Sequence, residues 1–104
     1  MDLGLRGKVA LVTAASKGLG FASAKALVGE GASVAINARD VDRLEEAGAA
    51  LDADVLMLPG DVTDPDVPAR LVAETVERFG ALHVLVANAG GPPNARAHRW
   101  RAVR

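Results

Sequence analysis

The stretch Lys8-Val9-Ala10-Leu11-Val12-Thr13-Ala14-Ala15-Ser16-Lys17-Gly18-Leu19-Gly20 decides the fold. Lys8 to Thr13 is a short, β-branched, apolar run of the kind a buried strand uses. Ala14 to Gly20 is a loop of small residues with two glycines. From Leu19 to Val28 the residues Leu19, Ala22, Ala26 and Leu27 recur at helical spacing, and the pattern stops at Gly29 and Gly31. The stretch therefore predicts strand, loop, helix. A loop in that place can set a ligand against the first-turn N–H groups, which have no intrahelical partner. The helix dipole there favours an anion such as a pyrophosphate. Glycine lets the backbone come close, where a side chain would block it. The spacing is neither the G-x-G-x-x-G fingerprint nor a P-loop. A plain strand-to-helix turn would also use two glycines; the position at the head of a βαβ unit favours the phosphate reading.

Working outward, Ser33 to Ala38 predicts a second strand. Asp40 is placed to cap a helix from Val41 to Leu51, with Leu44, Ala47 and Leu51 on one face. Val55 to Leu58 predicts a third strand, ended by Pro59-Gly60. Asp64-Pro65 reads as the start of a helix that runs to Phe79 and stops at Gly80. Leu82 to Ala87 predicts a fourth strand. Strands alternating with helices across short links imply a parallel sheet.

The chain has 104 residues, enough for one small domain, and half of them are hydrophobic. Phe21, Phe79 and Trp100 are the only aromatics, so the core must be built from Ala, Val and Leu. A net charge of -1 argues against a general binder of nucleic acid or membrane surfaces. The absence of cysteine excludes disulfides and Cys-based metal sites, and His83 and His98 have no evident ligand cluster. No apolar run nears the roughly 20 residues of a membrane span, and the start lacks the features of a signal peptide, so a cytoplasmic location is expected.

The last segment differs. All 13 acidic residues lie before residue 96, whereas Arg96, Arg99, Arg101 and Arg104 follow it with no acid. Pro92-Pro93 marks the break. Residues 92–104 thus read as a basic tail without period, either disordered or the product of a frameshift or truncation near Pro92 to Arg96. A tail that binds an acidic partner is the weaker alternative.

Three motifs in register give the chain a family resemblance over residues 5–91. Thr13-Ala14-Ala15-Ser16-Lys17-Gly18-Leu19-Gly20 resembles the Thr-Gly-x-x-x-Gly-x-Gly signature of short-chain dehydrogenases/reductases, with Ala14 in place of the first Gly. Asp61-Val62 follows the third strand, where that family sets an Asp beside the adenine ring. Ala87-Asn88-Ala89-Gly90 resembles the family's Asn-Asn-Ala-Gly, with Ala87 in place of the first Asn. Ala14 would be harmful if its position needs a positive φ, and tolerable otherwise.

The resemblance implies an α/β fold: a Rossmann-type parallel sheet of order 3-2-1-4 with flanking helices, truncated after the fourth strand. It implies a dinucleotide site drawn from Thr13, Ala15, Ser16, Lys17, Gly18, Leu19, Gly20, Arg39, Asp61, Val62, Asn88, Ala89 and Gly90. An NAD site places an acid at the end of the second strand, whereas an NADP site uses Arg for the 2′-phosphate. Here Arg39 follows the strand and Asp40 comes one residue late, and the family's NADP-preferring members use basic residues at the positions of Lys17 and Arg39. NADP(H) is therefore expected over NAD(H).

The family's chemistry, hydride transfer between nicotinamide and a carbonyl or alcohol, uses a Tyr, a Lys four residues later and a Ser. Full-length relatives of this kind resemble reductases of 3-oxoacyl thioesters or other carbonyls. This chain has no Tyr; its lysines are Lys8, Lys17 and Lys25, and its serines Ser16, Ser23 and Ser33. It is expected to be a cofactor-binding portion without catalysis; the alternative is a non-catalytic nucleotide-binding or regulatory module. With the second half missing, Val84-Leu85-Val86 should form an exposed apolar edge that promotes self-association.

Overall fold

The computed structural model describes residues 4–16, 18–87 and 100–102, the last three by their backbone. Four strands and three helices alternate as read: β1 (Val9–Val12), α1 (Gly18–Gly29), β2 (Ser33–Ala38), α2 (Val41–Leu51), β3 (Leu56–Pro59), α3 (Val67–Phe79) and β4 (Val84–Val86). A further strand, β5 (Trp100–Ala102), follows. The sheet order is β3-β2-β1-β4-β5. Strands β1 to β4 are parallel, with Leu11 opposite Ala35 on one side and Leu85 on the other.

Side chains alternate across the sheet, and the two faces hold separate cores. Ala10, Val12, Val34 and Ile36 pack with Ala24 and Leu27 of α1 and Leu44, Ala47 and Leu51 of α2. Val9, Leu11 and Ala35 pack with Val67 and Leu71 of α3. Right-handed crossovers explain this split. The chain moves one way from β1 through β2 to β3, then returns past β1 to β4, so α3 lands on the opposite face.

Four details differ from the sequence expectation. In α1 the buried residues are Gly20, Ala24 and Leu27, while Leu19, Ala22 and Ala26 face outward. This helix is apolar almost all round, with Lys25 its one charge, so periodicity could not choose the face. Gly20 and Ala24 let the first turns of the helix approach the sheet closely, and Leu27 fills the core beyond them.

Helix α3 begins at Val67, not at Pro65. The Asp64 carboxylate accepts from the Asp66 N–H at 3.1 Å, and the Asp64 carbonyl accepts from the Val67 N–H at 3.1 Å. These bonds form a turn ahead of the helix, and Pro68, which lacks an N–H, sits in its first positions. Strand β4 starts two residues late because His83 instead brackets Val9. Its N–H donates to the Val9 carbonyl, and its Nδ1 accepts from the Val9 N–H, both at 2.9 Å.

Finally, β4 is not an edge. Val84, Leu85 and Val86 pair antiparallel with Ala102, Arg101 and Trp100. The exposed edge on which self-association was expected is therefore covered by the chain's own tail, where no strand was read. Hydrogen-bonding groups along a strand edge recruit any extended backbone within reach, whatever its side-chain pattern.

Candidate functional site

The carboxyl ends of β1, β2, β3 and β4 lie along one side of the sheet, and the loops leaving β1, β2 and β3 meet there. The Thr13 N–H donates to the Val86 carbonyl at 3.0 Å, joining the β1 and β4 ends. The Ala15 N–H donates to the Asn37 carbonyl at 2.7 Å, joining the β1 and β2 ends. The Gly60 N–H donates to the Ala38 carbonyl at 3.1 Å, joining the β2 and β3 ends. Between β1 and β4 the order of the strands reverses, with α1 and α2 packed on one face of the sheet and α3 on the other. A crevice at such a switch point is where open parallel sheets bind ligands.

The loop between β1 and α1 is shaped for an anion. Gly18 adopts φ +64° with open space where a side chain would stand, so backbone is presented there without obstruction. At Gly20 a Cβ would collide with the Ala14 carbonyl oxygen and meet the Ala14 carbonyl carbon at 2.9 Å. This close packing holds the loop over the start of α1. No acid stands in the first turn of α1, so nothing there opposes an anion at the positive end of its dipole. The donors, the open glycine and the lack of carboxylates fit a diphosphate.

Ala14 is held at φ +50°, a conformation that costs an L-residue with a side chain energy. The condition under which Ala14 would be harmful is thus met: the position does need a positive φ. The loop keeps its bend because the Ala14 N–H donates to Asn37 Oδ1 at 3.3 Å, next to the Ala15 bond.

On the far side of β2, Arg39 and Asp40 are exposed and Asp61 is partly so. Asp40 caps α2: its Oδ1 accepts from the N–H groups of Asp42 at 2.9 Å and Arg43 at 3.2 Å. Its other oxygen lies 3.9 Å from Arg43 Nε. Asp61 Oδ1 accepts from the Thr63 hydroxyl at 2.7 Å and the Thr63 N–H at 2.9 Å. These bonds, the hydroxyl first, hold the Asp61 carboxyl below the ordinary carboxylate range. Slight desolvation opposes them, and the Arg39 charge adds a smaller lowering.

Of the residues singled out in the sequence, the structure brings Thr13, Ala15, Ser16, Gly18, Leu19 and Gly20 to the β1 end, Arg39 to the β2 end, and Asp61 and Val62 to the β3 end. Thr13 and Ala15 are buried, Leu19 is 63% exposed, and Val62 packs against the core on the α3 face. Lys17, Asn88, Ala89 and Gly90 lie outside the described residues. Sequence reading missed Asn37, whose signal was a lone amide in the apolar run Ser33 to Ala38. It also missed Thr63, two residues after Asp61, a spacing that favours an Asx turn. Among the described residues no helix is long and apolar enough to cross a membrane.

Comparison with known proteins agrees with this geometry. The short chain dehydrogenase family matches residues 8–103. Versicolorin reductase 1 of Aspergillus parasiticus is 43% identical over 90 residues, covering 83% of this chain and 34% of that protein. L-fucose dehydrogenase of Rattus norvegicus is 41% identical over 93 residues, covering 86% of this chain and 33% of that protein. The crystal structure of L-sorbose reductase from Gluconobacter frateurii, complexed with NADPH and L-sorbose, superposes with a TM-score of 0.82 at 39% identity. It covers 92% of this chain and 38% of that one. The chain thus spans about a third of the length of these relatives.

Proposed function

This chain belongs to the short chain dehydrogenase family, and we propose that it is the NADP(H)-binding portion of an oxidoreductase of that family, without catalytic activity of its own. The observation that carries the reading is the convergence at one end of the sheet of the loop between β1 and α1, Arg39 and Asp61, with Asp40 Oδ1 engaged in capping α2.

In this reading Gly18, Leu19 and Gly20 turn backbone toward the diphosphate, with Thr13, Ala15, Ser16 and Lys17 around it. Asp61 and Val62 flank the adenine, and Asn88, Ala89 and Gly90 continue the site beyond β4. Arg39 takes the 2′-phosphate together with Lys17, two cations on one dianion. Asp40 supports the preference by what it cannot do. It comes one residue late for a ribose 2′-hydroxyl, and its Oδ1 already accepts from the Asp42 and Arg43 N–H groups. When bound, the nicotinamide supplies a hydride donor or acceptor. The chain has no Tyr to move the accompanying proton. Residues 1–91 form the binding half and 92–104 a basic extension, in a cytoplasmic protein. The names of the relatives point to differing substrates, so they select none for this chain.

Calorimetric titration with NADPH and NADH tests the reading. NADPH should bind at least tenfold more tightly, and Arg39→Ala should erase most of that difference. A chain that binds neither dinucleotide at millimolar concentration has no such site.

A further inference from the structure

Asn37 is 1% exposed, the one side-chain amide among the described residues, in a strand that is otherwise apolar after Ser33. Its hydrogen bonds run to both neighbouring loops. Oδ1 accepts from the Ala14 N–H at 3.3 Å, in the loop that leaves β1. Nδ2 donates to the Leu58 carbonyl and to the Gly60 carbonyl, both at 3.0 Å, at the end of β3. Its backbone carbonyl accepts from the Ala15 N–H at 2.7 Å. One residue in the central part of the edge thus fixes two consecutive amides of one loop and two carbonyls flanking the start of the other.

We infer that Asn37 is a positioning residue for a dinucleotide, setting the spacing between the Ala14–Gly20 loop and the Gly60–Thr63 loop. The inference rests on the reading of these loops as the diphosphate and adenine ends of one site. Two observations direct it to positioning rather than to core packing alone. Ala14 sits at φ +50°, a state that persists only when its surroundings over-determine it, and the Asn37 amide and carbonyl supply two of those constraints. Both hydrogens of Nδ2 are used on the opposite loop, so the amide is a strut between loops separated by more than 40 residues in sequence. A buried amide whose donors are both used on one side and whose oxygen accepts from the other transmits a shift of one to the other.

A ligand that bridges both loops feels their spacing, whereas one that occupies a single loop does not. In the full chain, Asn37→Ala should weaken NADPH binding at least tenfold while weakening adenosine, which in this reading meets only the Gly60–Thr63 loop, less than threefold. Adding Ala14→Gly, which removes the need to hold a strained bend, should recover part of the NADPH loss. Amide exchange of the ligand-free protein provides a readout that needs no cofactor. Asn37→Ala should speed exchange at Ala14, Ala15 and Gly60 together, at least tenfold, and leave Leu11 and Ile36 protected. Equal losses for both ligands, or faster exchange confined to one loop, overturns the inference. Should Asn37→Ala not fold, Asn37→Ser, whose hydroxyl can reach only one side, serves for the same comparisons. If the unaltered chain ignores NADPH, the cofactor reading fails, and coupled exchange across the two loops still decides whether Asn37 joins them.

Discussion

Ala14 stands where the local backbone asks for glycine. A left-handed conformation costs a residue with a Cβ about 1–2 kcal/mol. Ala14→Gly removes that cost but gives the unfolded chain more freedom, which returns about 0.4–1 kcal/mol. The difference favours the variant: Ala14→Gly should stabilise the protein by about 0.5–1 kcal/mol, read as a raised urea midpoint with unchanged slope. A lowered midpoint would mean that the Ala14 methyl makes contacts worth more than the strain. Asp61 gives a second test at this scale. Its carboxyl is held low first by the Thr63 hydroxyl, then by the Thr63 N–H. A group with a depressed native pKa stabilises the fold above its unfolded pKa, and the contribution is lost as pH falls through the native value. The Asp61–Thr63 turn should therefore be intact at neutral pH and open only in acid, below the ordinary carboxylate range. Thr63→Val removes the larger cause, so the Asp61 carboxyl, followed by NMR titration, should move up; an unchanged midpoint would remove Thr63 as the cause.

At the scale of elements, what the sequence discloses depends on how local the cause is. Helix α2 was legible because Leu44, Ala47 and Leu51 stand out against charged neighbours, and its cap, Asp40, bonds to amides two and three residues on. Gly18 and Gly20 were legible for the same reason, as was Arg39 beside the end of β2. Helix α1 was not, since its outward face is nearly as apolar as its inward one. Asn37 was hidden because its partners lie 21 and 23 residues away, so its purpose exists only once β2 and β3 are paired. Strand β5 has no pattern of its own; the β4 edge defines it. Asp40 allows a test in which two effects have opposite sign. Asp40→Ala should cost about 1 kcal/mol of stability by uncapping α2. It also removes an exposed negative charge beside Arg39, so the affinity for NADPH should rise a few-fold, because such exposed charge interactions are worth up to about 1 kcal/mol. A calorimetric titration showing weaker binding would assign Asp40 to the cofactor instead of the helix.

For the whole molecule, the order β3-β2-β1-β4 leaves two sheet edges to protect. One ends in β3, a four-residue strand whose last residue, Pro59, has no N–H to offer. The other would be β4, whose Val84-Leu85-Val86 is short but wholly apolar. The chain meets that hazard with β5, which pairs along all three residues. The new edge is three residues long and includes Arg101, and brevity and charge both discourage edge-to-edge pairing. If this pairing keeps the molecule from associating, removing it should have a specific result. A chain ending at residue 99 should sediment as concentration-dependent larger species at tens of micromolar, where the full chain shows fewer of them. Arg101→Pro, which keeps the length but takes one N–H out of the strand, should shift the distribution the same way by a smaller amount. Both variants should retain α1, α2 and the β1–β3 pairing, because the two cores lie chiefly between β1, β2 and the helices. Sedimentation identical to that of the full chain would show that a free β4 edge is harmless, and that β5 is not what protects the sheet.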